Sequence, residues 1–372
     1  MKHIFFVAGE SSGDTHGSNL IRALLKQNPE LQCSGIGGRA MENAGMTLHF
    51  DLASHAIMGF AEVVKSFGFI RQLFNDTLAR IRDERPDAVV LIDYPGFNIR
   101  LAKVVKELGI PIIYYISPQI WAWKKGRIHT LAEVLDKMLV ILPFEKELYD
   151  NVGLDCVYVG HPLFDQIART EVNDSFRSEC TIGLMPGSRE QEIKRIFPTM
   201  LEVGRALKAS HPEARFVTAC VDEARAEQIR KMAGDFSLEI VRDQFYDILS
   251  EAKFCLVASG TATVETALFN VPMIVLYRVK RVTYWLAKLL VKIDAVAMVN
   301  ILAGKHIVPE YIQDEAKASV IIPTALELIE DSERRNTMLS DLARIRDVLG
   351  GPGASDRAAQ EIMETVNQGA HG

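Results

Sequence analysis

At 372 residues, with 48% apolar and 24% charged side chains, the chain is long enough for two domains that each bury a core, which excludes a small stapled fold. A formal charge of −6 leaves no electrostatic footprint for duplex nucleic acid. The five cysteines, Cys33, Cys156, Cys180, Cys220 and Cys255, are odd in number, scattered and without C-x-x-C spacing, so neither a disulfide framework nor a zinc site is expected and a reducing compartment is.

The apolar start from Ile4 to Ala8 breaks at Gly9-Glu10, too short for a signal-peptide core. No stretch offers the roughly twenty uncharged residues of a spanning helix, and the expectation is a cytoplasmic chain that can still lie on a membrane. Short apolar strands at 3–8, 32–35, 88–92, 111–116, 137–141 and 157–159 alternate with amphipathic helices. The helix after the first strand carries Leu20, Ile21, Leu24 and Leu25 on one face and Lys26 at its C-terminal end. A polar stretch from 168 to 179 reads as a linker. A second series follows, with strands at 181–185, 215–219, 238–241, 254–258 and 273–276. This rhythm predicts an α/β chain of two Rossmann-like, doubly wound parallel sheets, 1–167 and 168–344, with a ligand crevice at the carboxyl ends of the strands.

Gly9-Glu10-Ser11-Ser12-Gly13 matches the G-x-S-x-G nucleophile elbow. It follows the first strand, however, where no earlier strand can supply an oxyanion loop, so the hydrolase reading is declined. Gly35-Ile36-Gly37-Gly38-Arg39-Ala40 matches G-x-G-x-x-A, yet the next strand ends at Asp51, short of the roughly 20-residue spacing to a ribose-binding acid; tight packing is the plainer reading. In Ile92-Asp93-Tyr94-Pro95-Gly96-Phe97-Asn98 an acid emerges at the end of a buried strand. Asp93 has the position of a general base, and equally that of a cap for a helix opening near Asn98. Ser117-Pro118-Gln119-Ile120-Trp121-Ala122-Trp123 either walls a sugar site or is a buried loop, and His161 in Gly160-His161-Pro162 reads as structural. Two corners stand out: Leu184-Met185-Pro186-Gly187-Ser188-Arg189 and Val257-Ala258-Ser259-Gly260-Thr261-Ala262-Thr263-Val264-Glu265. In each an apolar run gives way to small residues and then to a helical pattern, leaving free backbone N–H groups and a helix dipole suited to a diphosphate.

Together with Ala8 to Asp14, Pro143-Phe144-Glu145 and Asn300-Ile301-Leu302-Ala303-Gly304, these motifs resemble, in order and spacing, the lipid A disaccharide synthase family over residues 3 to 345. The resemblance implies a GT-B glycosyltransferase, an inverting hexosyltransferase that needs no metal or other cofactor. Such an enzyme moves a 2,3-diacylglucosamine from UDP onto the 6-hydroxyl of 2,3-diacylglucosamine 1-phosphate, forming a β-1,6 link. It also implies that residues 345–372 form a helix returning to the first domain.

By the same resemblance Asp93 is the candidate base, with His16 left open as its competitor. Arg189 and the Gly187-Ser188 backbone would neutralise the leaving diphosphate. Glu265 would hold the ribose, Asn300 would belong to the nucleotide site, and Ser12, Ser259, Gly260 and Thr261 would supply donors. The plain alternatives are a first-turn acid for Glu265 and an N-cap for Ser259. For a lipid substrate, two stretches read as contacts with an anionic membrane surface. One runs from Arg278 to Lys292, with five basic residues and no acid; the other runs from Ile57 to Arg71. The expected place is the cytoplasmic side of the inner membrane, with a homodimer as one open subunit arrangement. Another GT-B enzyme, such as a UDP-sugar epimerase or a transferase to a soluble acceptor, and a non-catalytic nucleotide-sugar or lipid-binding module remain as alternatives.

Overall fold

The computed structural model describes residues 1–53, 67–123, 126–169, 180–242, 244–280, 284 and 295–368. The chain divides into two units, Met1–Asp165 with Gly351–Gly372, and Gln166–Gly350. The boundary expected at 345 falls inside the helix Glu333–Leu349, and the chain breaks instead at the glycines Gly350, Gly351 and Gly353, which no helix can easily span.

The first unit is built on seven parallel strands in the order β3-β2-β1-β4-β5-β6-β7. They are β1 (His3–Ala8), β2 (Gln32–Gly37), β3 (Thr47–Asp51), β4 (Ala88–Ile92), β5 (Ile112–Tyr115), β6 (Lys137–Val140) and β7 (Cys156–Tyr158). A parallel sheet is covered on both faces, so its central strands are apolar at every position rather than alternately. Phe5, Val7, Val89, Leu91 and Tyr114 point to one core, and Ile4, Phe6, Val90, Ile92 and Tyr115 to the other. The second core is closed by Leu20, Ile21 and Leu24 of the helix Ser11–Gln27. Ala358, Ala359, Ile362 and Val366 of the last helix, Ala354–Gln368, complete it. That helix is pinned at its start by Asp165, whose carboxylate accepts the backbone N–H groups of Gly353 (2.5 Å) and Ser355 (2.9 Å). Farther along, Arg357 Nε donates to the Val159 carbonyl at 2.7 Å and Lys137 Nζ to Glu361 at 2.6 Å. The G-x-G-x-x-A segment is a packing device: a Cβ on Gly35 would stand 2.0 Å from the Phe6 carbonyl oxygen of the neighbouring strand.

The second unit carries six parallel strands in the order β10-β9-β8-β11-β12-β13. They are β8 (Thr181–Met185), β9 (Arg215–Cys220), β10 (Glu239–Arg242), β11 (Ala252–Ala258), β12 (Met273–Tyr277) and the three-residue edge strand β13 (Glu310–Ile312). Ile182, Leu184, Phe254, Leu256 and Ile274 are wholly buried in its core. All five cysteines are buried thiols, and burial pushes those of Cys33 and Cys255 up to about 12. Among the described residues no helix is long and apolar enough to cross a membrane, and no group of three His, Cys, Asp or Glu side chains could hold a metal ion.

Candidate active site

In the first unit the strand order reverses between β1 and β4, which lie side by side with Ala8 opposite Ile92. Ligands of open α/β sheets bind outside the carboxyl ends of strands at such a reversal. Gly9-Glu10 leaves β1 there and Asp93-Tyr94 leaves β4. Both Asp93 (φ 47°) and Tyr94 (φ 48°) are left-handed, a conformation that costs a non-glycine residue about 1–3 kcal/mol and must be held by its surroundings. Three bonds hold it: Asp93 N–H donates to Tyr115 O (3.3 Å), and the Asp93 carbonyl accepts Asn98 Nδ2 (2.7 Å) and Tyr114 OH (2.5 Å). Gly9 makes room, since a Cβ there would lie 2.2 Å from the Tyr94 ring.

The Asp93 carboxyl is half-buried. Burial first, then the negative charge of Glu10, push it up to about 6, against the pull of the Tyr94 backbone N–H. The capping alternative is not what the structure shows: the helix Pro95–Lys106 has Tyr94 at its N-cap, so Asp93 lies outside it. Ser12 is exposed in the first turn of its helix. Asp14 is spent on structure, its two oxygens accepting Ala40 N–H (3.0 Å) and Met41 N–H (2.9 Å) at the start of the helix Arg39–Asn43. Burial takes His16 down to about 4, and its Nδ1 has no hydrogen-bond partner among the described residues. His161 falls to about 3, through burial and then the proximity of His16, and its Nδ1 accepts Leu163 N–H at 3.3 Å.

In the second unit the reversal lies between β8 and β11, where Leu256 stands opposite Leu184 and Val257 opposite Met185. The two corners singled out by sequence therefore leave the carboxyl ends of adjacent central strands of one sheet. Gly187 is left-handed (φ 98°), and a Cβ on it would come within 2.6 Å of Glu192 Oε2. Arg189 is the N-cap residue of the helix Glu190–Ser210. Its side chain is 76% exposed and its Nη1 donates to Glu192 Oε1 at 2.9 Å. Gly260 is the N-cap of the helix Thr261–Leu268 and Thr261 is exposed beside it. Ser259 precedes the cap, and its Oγ donates to Val296 O at 3.1 Å. Glu265 is in the second turn rather than the first. Burial pushes its carboxyl up, and the Tyr246 hydroxyl, donating to Oε1 at 2.8 Å, pulls it back.

Asn300 revises the expectation attached to it. Its Oδ1 accepts Ile307 N–H (2.8 Å) and Val308 N–H (2.9 Å), and its Nδ2 donates to Val308 O (2.9 Å) and Glu310 Oε1 (2.6 Å). Every hydrogen-bonding position of the amide is occupied, so Asn300 braces the segment leading into β13 instead of offering a free group to a nucleotide. Tyr246 went unnoticed in sequence because its helix, Phe245–Glu251, meets Glu265 only through the sheet order. Of the two stretches expected to meet a membrane, 57–66 and most of 278–292, with Lys288 and Lys292, lie outside the described residues. In the described part, Phe69 is 39% exposed, its ring 5.6 Å from that of Phe50.

A family model described as Lipid-A-disaccharide synthetase matches residues 4–362. The lipid-A-disaccharide synthase of Syntrophus aciditrophicus is 40% identical over 378 residues, covering 99% of this chain and 98% of the relative. That of Geobacter metallireducens is 38% identical over 376 residues, with 99% and 98% covered. Among solved structures, the S. aureus MnaA-UDP co-structure superposes with a TM-score of 0.67 at 16% identity, covering 99% of this chain and 97% of the other. The glycotransferase of kitacinnamycin gives 0.65 at 16%, with 98% of both chains covered. At such identities the structural likeness concerns the fold alone, which is GT-B.

Proposed function

The chain belongs to the lipid-A-disaccharide synthetase family, and from that membership we propose that it transfers 2,3-diacylglucosamine from UDP to the 6-hydroxyl of 2,3-diacylglucosamine 1-phosphate, giving the β-1,6 disaccharide and UDP. The observation that carries the reaction type is Asp93, a carboxylate at a strand reversal, tuned to about 6 by burial and held in a strained corner. A base of that strength is about nine-tenths ionised at pH 7 yet still takes up a proton readily. His16, lowered by burial to about 4, is the weaker base, which favours Asp93.

In the proposed step Asp93 removes the acceptor hydroxyl proton as the oxygen attacks the anomeric carbon from the side opposite UDP, and the configuration inverts. The departing diphosphate is received by Arg189 and by the backbone N–H groups of Gly187, Ser188, Gly260 and Thr261, at helix starts whose dipoles favour an anion. Because these groups carry the developing charge, the proposed mechanism calls on no metal. Glu265, aligned by Tyr246, accepts the ribose hydroxyls, and Ser12 donates on the acceptor side. Asn300 contributes by holding the 295–310 segment against which Ser259 is bonded. Both substrates carry acyl chains, so the enzyme works at the cytoplasmic face of the inner membrane, bound to its surface.

The test is to incubate the protein with UDP-2,3-diacylglucosamine and the monosaccharide 1-phosphate and to follow UDP release and disaccharide by mass. UDP release without disaccharide, or no turnover, overturns the reading.

A further inference from the structure

One buried acid in the first unit has no part in the transfer step described above. Glu145 is 1% exposed on the helix Pro143–Asp150, which follows β6. Its Oε1 accepts the Trp121 indole N–H at 3.1 Å, while its Oε2, equally buried, has no hydrogen-bond partner among the described residues. One turn along the same helix, the Tyr149 hydroxyl lies 2.6 Å from Ser117 Oγ. The Trp121 ring stands edge-on to Phe144, 5.1 Å between centroids. All these bonds fasten one turn, 116–121, which leaves β5 beside the Asp93 corner of β4.

That turn needs fastening. Ile116 is left-handed (φ 66°), an outlying conformation for a β-branched residue, and its own N–H reaches Leu139 O of β6 at 3.0 Å. Three left-handed non-glycine residues, Asp93, Tyr94 and Ile116, therefore sit at the ends of two neighbouring strands, and Tyr114 of β5 bonds the Asp93 carbonyl.

We propose that Glu145 is a positioning residue for the acceptor side of the transfer site, a buried acid that clamps the 116–121 turn, and with it the Trp121 ring, at the end of β5, the strand beside that of Asp93. The inference rests on the sugar-transfer reading. An ionised Glu145 would strand a charge with one oxygen bare in the core, which is costly. The groups facing it are Trp121 and Ser117 from the turn, Tyr149 and the Leu142 backbone from its own helix region, and the Cys156 thiol of β7. Among the described residues no cation offsets it. Burial accordingly pushes its carboxyl up to about 8, and the Trp121 hydrogen bond pulls it part of the way back. Ionisation above that pH draws water into the clamp and frees the turn.

The experiment measures kcat/KM for the monosaccharide 1-phosphate acceptor, at saturating UDP-sugar, from pH 5.5 to 9.5. The wild type should fall about tenfold per pH unit above roughly 8, and Glu145→Gln, which keeps the acceptor for the indole but cannot ionise, should hold its plateau. Superposable alkaline limbs, or a wild-type profile flat to pH 9.5, overturn the proposal. Trp121→Phe removes a bond that lowers the Glu145 pKa and should move the limb to higher pH; an unmoved limb counts against it and keeps the test open if the first variant misfolds. A third measurement needs no turnover. With Trp123 and Trp285 changed to Phe, the single remaining indole should change its emission with a midpoint near pH 8, and not when Glu145 is Gln. If that holds while no sugar is transferred, the reaction assigned above fails and the clamp survives. If both proteins titrate alike, the clamp fails whatever the activity.

Discussion

Replacing Asp93 by asparagine separates activity from stability, because the two respond to the same buried charge with opposite sign. The carboxyl rises from its ordinary 3.8 to about 6 on folding, so the native chain holds this proton more tightly than the unfolded one. Its contribution to stability is whole below pH 3.8 and is lost as pH rises through about 6; at about 1.4 kcal/mol for each tenfold in proton affinity, the loss is about 3 kcal/mol. Asn cannot ionise and is at ease at the φ of 47° found there. Asp93→Asn should therefore match the wild type in urea unfolding at pH 4 and exceed it by up to about 3 kcal/mol at pH 7, the gap opening between pH 4 and 6. Disaccharide formation should fall about 10²- to 10⁴-fold, and in the wild type it should decline to about one-tenth of its plateau at pH 5. A variant within tenfold of wild-type turnover, or a stability gap identical at pH 4 and 7, refutes the assignment of Asp93 as a buried base.

Arg189→Ala removes an exposed cation whose ion pair with Glu192 is itself at the surface. Calorimetry should show a stability change within about 0.5 kcal/mol, while UDP release slows by about 10²-fold; retained turnover removes Arg189 from the diphosphate site. Asn300→Ala strands the Ile307 and Val308 N–H groups and should cost about 3 kcal/mol or more in denaturant unfolding, a wild-type midpoint being the contrary result. In Tyr246→Phe the Glu265 carboxyl loses the bond that lowers its pKa, so KM for the UDP-sugar should rise, most at low pH, with kcat little changed. A KM–pH curve that superposes on the wild type dismisses that role.

The strand pattern was legible because parallel strands buried on both faces are unbroken apolar runs: β1, β4 and β8 have the ends read from sequence. The edge strand β13 was not, since Glu-Tyr-Ile is short, half-exposed and joined to β12 only by tertiary pairing. At the site, Gly187 and Gly260 announced their corners because small residues there serve no core. The roles of individual polar residues were less visible. Asp14, Asn98 and Asn300 stand inside motifs that look like binding loops, yet all three turn their side chains to backbone groups of their own unit. Tyr246 and Glu145 leave no periodic trace, because what matters about each is a partner brought to it by the sheet order.

The last helix bears on the order in which the protein can be completed. Ala358, Ala359, Ile362 and Val366 roof a sheet whose strands lie between residues 3 and 158. On the ribosome, then, the N-terminal half waits with part of one apolar face uncovered while Gln166–Gly350 emerges and is free to fold. The half that is synthesised first is finished last, and the nascent chain carries this unfinished apolar patch until its final helix has emerged.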